Sequence, residues 1–263
     1  MTTIVITGGT DGMGRALART YLDRGDTVVI VGRDPAKAAT LPQAHFIPAD
    51  LSLVAENRRV TEEINDRYPA VHALVLCARY FRSARFVTTE GLEGTFALEY
   101  LSRFLLSHGL DRPRLIVNVS GPVPGVPIGR IHWDDLMLEH GYDGVAAQMQ
   151  AGRANNLLGL AFANQHADGP TRYVLINPGP VSTSFAGQYD PATAAHVSAL
   201  KKHGVPVEEG INPIIARIDT PLTAPLSAFL PADRISLDNP SFDPGDAARL
   251  DGLTRRLLHS QEQ

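Results

Sequence analysis

The chain has 263 residues, a hydrophobic fraction of 44% and 20% charged residues; it exceeds the roughly 150 residues of an average domain, but no linker, repeat or low-complexity stretch divides it, so one domain over 1–263 is expected. A net charge of −4 with no block of like charge argues against nucleic acid or an anionic membrane as partner. Cys77 alone excludes an internal disulfide and fits a reducing compartment, and with no basic leader or long apolar span a cytoplasmic setting is expected.

In chain order, short β-branched apolar runs alternate with helical patterns. Thr3–Thr7, Thr27–Val31, His45–Pro48, His72–Cys77, Arg114–Ser120 and Arg172–Asn177 read as buried strands. Met13–Arg24, Leu53–Tyr68, Thr89–Gly109 and Gly144–His166 read as helices between them. This alternation predicts an α/β fold of Rossmann type: a doubly wound parallel sheet with helices on both faces. After Asn177 the texture changes. Pro178–Val205 reads as an insertion over the sheet, Glu208–Ile218 as a helix and Pro225–Leu230 as a last strand, followed by a Pro/Gly turn and a closing helix. Residues of about 184–225, including Phe185 and Tyr189, are expected to cover a substrate.

The first strand runs into Thr7-Gly8-Gly9-Thr10-Asp11-Gly12-Met13-Gly14, which opens a helix. Glycines at this spacing allow a tight turn, close approach of backbone to a pyrophosphate and packing of helix on sheet, and the helix N-terminus offers N–H donors to phosphate. The second strand ends Val31-Gly32-Arg33-Asp34. An unphosphorylated ribose calls for an acidic acceptor near Gly32, whereas Arg33 suits a 2′-phosphate, so NADPH is favoured. Asp34 blunts that preference and leaves NADH open.

With Asp50-Leu51-Ser52 after the third strand and Asn177-Pro178-Gly179-Pro180-Val181-Ser182-Thr183 after the sixth, the chain resembles the short-chain dehydrogenase/reductase family. Thr89-Glu90-Gly91-Leu92-Glu93, Ile116-Val117-Asn118-Val119-Ser120 and Arg130-Ile131-His132-Trp133-Asp134-Asp135-Leu136 extend the likeness, the last being similar to the retinol-dehydrogenase-like branch. The resemblance implies a nicotinamide cofactor held by Gly8, Thr10, Asp11, Gly12, Met13 and Gly14 of the loop and by Arg33, Asp50 and Leu51 of the next two strand ends. Cys77, Ala78, Arg79 and Val119 would follow from the fourth and fifth strand ends, and Pro178, Gly179, Val181 and Thr183 from the segment that wraps the nicotinamide.

The same resemblance implies a tyrosine acid, a lysine that lowers its pKa, a serine and an asparagine, and here the chain departs. Glu99 stands at the asparagine position, Ser120-Gly121 replaces a Ser-Ser pair, and Leu76-Cys77-Ala78-Arg79 replaces an Asn-Asn-Ala-Gly turn. The Tyr-x-x-x-Lys pair falls on Gln148 and Gly152 in one register and on Met149 and Arg153 in the other; either removes phenol and amine. Tyr142 has Ala146 four residues on, and Tyr80 and Tyr100 lie in other motifs. Arg153 is a candidate for the lysine's place at the ribose, or for an ion pair with Glu99. No catalytic residue and no metal site is expected. Ser120, Gln148, Met149 and Phe185 are the expected substrate contacts.

A cofactor cradle without a protein acid admits a hydride transfer in which the substrate supplies its own proton, a non-redox or redox-sensing role, or a scaffold role. The first is favoured. A ketone flanked by an intramolecular phenol carries its donor, and general acid catalysis is typically worth about 10²–10⁴-fold. This pattern of absences resembles that of ketoreductases acting on angucyclinone-like aromatic polyketides, which implies a small-molecule substrate and allows a homo-oligomer.

Overall fold

Successive residues of β1 (Thr3–Thr7) and β2 (Thr27–Gly32) face opposite sides of one sheet, and both sides are apolar. Ile4, Ile6, Val28 and Ile30 pack on one face; Val5, Val29 and Val31 pack on the other. A strand apolar on both faces must be covered on both, which is the signature of a parallel sheet between helical layers. The computed structural model, which describes residues 1–122 and 128–261, has that architecture.

The described strands form an eight-stranded sheet. Beyond β1 and β2 it contains β3 (His45–Pro48), β4 (Ala73–Leu76), β6 (Leu115–Asn118), β7 (Arg172–Ile176), β9 (Leu226–Leu230) and β10 (Asp233–Ile235), in the order β10-β9-β7-β6-β4-β1-β2-β3. All neighbours are parallel except β9 and β10. The register runs Ile4↔Val28, Ile4↔Ala73 and Leu76↔Asn118, so β1, β4 and β6 end at one level.

One face carries α3 (Val54–Arg67), α5 (Ser102–Gly109), α6 (Gly144–Gln165) and α10 (Pro244–Ser260), through Val60, Ile64, Phe104, Leu157, Leu158 and Leu250. The other carries α1 (Gly12–Asp23), α2 (Pro35–Ala38) and α9 (Asn212–Asp219), through Leu17, Ala38, Ile214 and Ile218. Each fully buried Leu or Ile contributes roughly 1.5–3 kcal/mol, so these stripes hold the layers together. Helix starts are locally written. The side chains of Asp11, Asp34, Asp143 and Asp243 accept backbone N–H bonds at the first turns of α1, α2, α6 and α10, and α2 and α10 add a proline there.

Several expected elements are corrected. The helix expected over Thr89–Gly109 begins at Gly94, because Glu93 caps it through the N–H groups of Thr95 and Phe96. It runs as α4 (Gly94–Phe96), a π turn over Ala97–Leu101, then α5. Pro178–Val205 contains β8 (Gly187–Gln188), paired with β5 (Phe81–Arg82), and α7 (Pro191–His203). Glu208–Ile218 splits into α8 (Val207–Gly210) and α9, whose second residue is Pro213. Leu226–Leu230 is not the last strand, since β10 follows on the sheet edge.

Candidate cofactor and substrate crevice

Strand order reverses between β1 and β4, the place where open α/β sheets leave a crevice beyond their carboxyl ends. The glycine loop lines one wall. Gly8 lies at φ +67°, and a Cβ there would come within 2.9 Å of the Ala78 Cα. A Cβ on Gly14 would sit 2.4 Å from the Gly8 carbonyl oxygen, so both positions need glycine for close backbone packing. Thr7 Oγ1 accepts from the N–H groups of Cys77 (3.1 Å) and Ala78 (3.2 Å), locking the loop to the end of β4. Gly12 faces Thr183 across the gap, with Thr183 Cβ 3.3 Å from a built Cβ. The expected loop and wrap residues thus come together around the N-terminus of α1.

The second wall carries charge. Arg33, at the end of β2, stands between Asp50 (3.7 Å) and the ring of Tyr80, 5.2 Å from its centroid. Asp50 is fixed by Ser52, whose N–H and hydroxyl donate to Oδ1 at 3.0 and 2.7 Å. Gly32 packs against Thr10, where any side chain would meet Thr10 Oγ1 at 3.0 Å. Asp34 does not compete for a ribose, because its carboxylate caps α2 through Ala36 and Lys37 N–H. Asp11 brings a carboxylate to the loop. Burial acts to raise its pKa, but hydrogen bonds from Lys37 Nζ and the Gly12 N–H hold it below the usual carboxylate value. Lys37 offsets the repulsion that this carboxylate would exert on a phosphate.

Leu51 and Val181 offer backbone and not side chain to the crevice. Both side chains are buried, 3% and 4% exposed, Leu51 in the core and Val181 against Gly210, so only their backbones can face a ligand. Met13 likewise packs its side chain against the core. Gly179 is at φ +77° with nothing within 4 Å of a built Cβ, and its N–H donates to Asn177 Oδ1 at 2.9 Å. Burial pushes the Cys77 thiol up to about 12.

At the reacting end the structure chooses between the two registers. Gln148 Nε2 donates to Glu99 Oε1 at 2.6 Å, and Gln148 Oε1 accepts from Arg79 Nη2. Gly152 lies four residues on along α6, and a Cβ there would meet nothing within 4 Å. Arg153 points elsewhere: it is 6% exposed and pairs with Asp246 of α10 at 3.1 Å. The structure thus turns Gln148 toward Glu99 and Arg79, and Arg153 toward α10. The expected Glu99–Arg153 pair is replaced by Arg79–Glu99 (3.5 Å) and Arg153–Asp246, because a one-residue step on a helix turns a side chain by about 100°. Met149 lies beneath Gly129, where a Cβ would fall 2.0 Å from the Met149 carbonyl oxygen. Ser120 ends the β6 side half-buried, its N–H donating to Asn118 O at 2.8 Å.

Sequence reasoning passed over Arg103. It is 4% exposed and donates to Asn118 Oδ1, Val119 O (3.3 Å) and Ala78 O (3.3 Å), beneath the crevice floor. Its signal was present: a lone cation four residues after Glu99, on a stripe with Phe96 and Tyr100. The π turn frees the Glu99 carbonyl, which accepts from Asn155 Nδ2 at 2.7 Å.

A third side is formed by the cover. Phe81 and Tyr189 stack with ring centroids 5.5 Å apart where β5 meets β8. Phe185 has φ +48°, with its carbonyl accepting from the Tyr189 hydroxyl and Lys201 over its ring at 5.9 Å. The other tyrosines are committed: Tyr142 donates to Glu93 (3.3 Å), and Tyr100 is buried against Thr254 (2.8 Å). Among the described residues no group of three or more His, Cys, Asp or Glu could hold a metal ion, and no helix is long and apolar enough to cross a membrane.

Comparison with known proteins places this geometry. Residues 2–120 match the family described as short chain dehydrogenase. A provisionally named daunorubicin C-13 ketoreductase, DnrU of Streptomyces sp. (strain C5), is 32% identical over 195 residues, 69% of this chain and 66% of that protein. The chain thus spans just under two thirds of that relative's length. The crystal structure of an uncharacterized protein from Mycobacterium paratuberculosis superposes with TM-score 0.72 at 22% identity, covering 98% of this chain and 93% of the other. NADPH-bound carbonyl reductase from chicken fatty liver superposes with TM-score 0.61 at 16% identity, covering 87% and 96%.

Proposed function

The chain belongs to the short-chain dehydrogenase family, and from that premise we propose that it is an NAD(P)H-dependent ketoreductase acting on a ketone of an aromatic polyketide, with the proton supplied by the substrate. What supports this reading is the glycine loop locked to the end of β4, together with Gln148 and Gly152, which the reading puts where an acid and its amine would stand. The cradle suits the cofactor: a twelve-residue helix points its N-terminus at a gap bounded by Gly12 and Thr183, and Arg33 stands ready between Asp50 and Tyr80. NADPH is the preferred form in this reading, with NADH admitted.

When bound, the reduced cofactor supplies the hydride. The chain supplies position and electrostatics. The loop N–H groups hold the pyrophosphate, Arg33 takes the 2′-phosphate, and the backbone of Pro178, Gly179 and Val181 with Thr183 orients the nicotinamide. Asp50 meets the adenine ribose end, and Val119, Ala78 and Arg79 border the far end. Ser120, Gln148, Met149 and Phe185 line the substrate's place, with residues 184–225 as the cover of a single domain in a cytoplasmic setting.

A carbonyl that accepts hydride becomes an alkoxide and needs a proton. Gln148 is an amide and titrates at no accessible pH, so in this reading the proton comes from a phenol beside the ketone. A relative whose name assigns it ketone reduction at C-13 of daunorubicin supports a ketone as the group reduced. In this reading the pattern of absences resembles that of the angucyclinone C7-ketoreductase of simocyclinone biosynthesis.

The test is NADPH consumption with polycyclic ketones that carry an ortho phenol, against their methyl ethers. Turnover of the phenols and loss of rate with the ethers is expected. Tight, redox-selective NADP(H) binding without turnover of any ketone would instead make the protein a sensor or non-redox enzyme.

A further inference from the structure

Three charged groups meet at the reacting end of the crevice: Arg79 after β4, Glu99 in the π turn and Arg103 on α5. Glu99 is 7% exposed at its side chain, whereas Arg79 is 65% exposed. Arg103 is buried, and burial pushes its pKa below the ordinary guanidinium value; the Glu99 carboxylate is the strongest influence favouring its charged form, and Arg79 opposes it. One buried carboxylate therefore serves two guanidinium groups. Glu99 offsets the charge of Arg103, which burial removes from bulk solvent. The positive charge that remains belongs to Arg79.

The donors of Arg79 are divided in the same way. Its Nη2 donates to Gln148 Oε1 and its Nε lies 3.5 Å from Glu99 Oε2, which fixes the plane of the fork. Its Nη1 carries no hydrogen bond or ion pair to another described residue. Burial raises the pKa of Tyr189 of the cover, and the charge of Arg79 opposes that rise. A planar cation held by two anchors and offering a spare donor pair is suited to an oxyanion.

We infer that Arg79 is a catalytic residue that holds the negative charge formed on the substrate oxygen, with Gln148 and Glu99 as positioning residues. This rests on the ketoreductase reading. The hydride brings two electrons from the reduced nicotinamide to the carbonyl carbon, and the C=O π pair moves to oxygen. The neighbouring phenol gives its proton to that oxygen. The products are alcohol, oxidised nicotinamide and a phenolate, which regains a proton from solvent. Arg79 stabilises the anion first as alkoxide and then as phenolate. Arg79 thus supplies charge, not a proton.

The experiment uses alizarin, a polycyclic hydroxyketone whose visible spectrum reports ionisation of its phenol, bound to the full chain with NADP⁺. An oxyanion site lowers the pH at which the bound dye ionises. The expected midpoint is at least about one pH unit below that of free dye, a tenfold preference for the anion. Arg79→Met should abolish the shift while its far-UV circular dichroism and thermal midpoint, matched to wild type, report an intact fold. Arg79→Gln is neutral but still able to hydrogen-bond Glu99, and should abolish the shift as well if the methionine variant does not fold. An equal midpoint in wild type and either variant overturns the assignment, as does wild-type protein that binds no alizarin. NADPH consumption is read separately. Turnover with an unshifted dye removes Arg79 and keeps the reductase; a shifted dye without turnover keeps the anion site and removes the reduction.

Discussion

Arg153 Nη2 donates to Asp246 Oδ2 at 3.1 Å, joining the middle of α6 to the first turn of α10 on the side away from the crevice. Its own side chain is 6% exposed while Asp246 is 38% exposed, and its Nη1 is buried without a partner among the described residues. Removing the carboxylate leaves a buried cation poorly compensated. Asp246→Asn should lower stability by about 1–3 kcal/mol in urea unfolding, given the exposure of one partner. The affinity for NADPH should not change. A large loss of cofactor affinity would mean that Arg153 reaches the ribose after all.

Gly152 sits inside α6, with nothing within 4 Å of a built Cβ. Glycine in a helix interior costs roughly 0.5–1 kcal/mol relative to alanine because its unfolded backbone is freer. Gly152→Ala should therefore raise the thermal midpoint and keep cofactor binding. A fall in stability would show that the space beside Gly152 is filled in solution.

Arg33 is half exposed between Asp50 and Tyr80, with no partner that buries it. A charge-assisted hydrogen bond to a phosphate is worth about 1.5–3 kcal/mol, or roughly ten- to hundredfold in affinity. Arg33→Ala should weaken NADPH by that factor and leave NADH almost unchanged, as read by cofactor fluorescence titration. Equal losses for both cofactors would place the arginine away from the 2′-phosphate.

His108 is packed against Phe104 (4.5 Å between centroids) and Phe162 (5.2 Å), and its Nε2 has no hydrogen-bond partner among the described residues. Burial, aided by the charge of Arg255, lowers its pKa from 6.5 to about 4. The unfolded chain binds the proton more readily, so the neutral imidazole's contribution is complete above about pH 6.5 and is lost as pH falls toward 4, on the order of 3 kcal/mol in total. His108→Phe should flatten the stability profile over that window. An unchanged slope would remove His108 as its source.

The glycine loop, the strand runs and the absence of a Tyr-Lys pair were legible because each rests on local chemistry. Gly8 and Gly14 are required by backbone contacts within a strand-turn-helix unit, and the Ile/Val alternation faces two helical layers. The helix start at Gly94 was misplaced by five residues because Thr89–Glu93 reads as helix while its carboxylates serve as caps, Glu90 for α3 and Glu93 for α4. The side chains of Leu51 and Val181 are buried, which leaves their backbones for a ligand, a distinction that burial and not residue type decides.

By itself the sequence determined the parallel α/β sheet and the glycine loop that opens α1, since these follow from periodicity, spacing and residue type. Only the tertiary structure decided that Gln148 meets Glu99 and Arg79, that Arg153 belongs to Asp246, and that Arg79 reaches Glu99. The reason is geometric. Which way a helical side chain points, and which distant charge it meets, is set by packing between elements 20 to 93 residues apart in the chain, and the amino-acid order alone does not contain those distances.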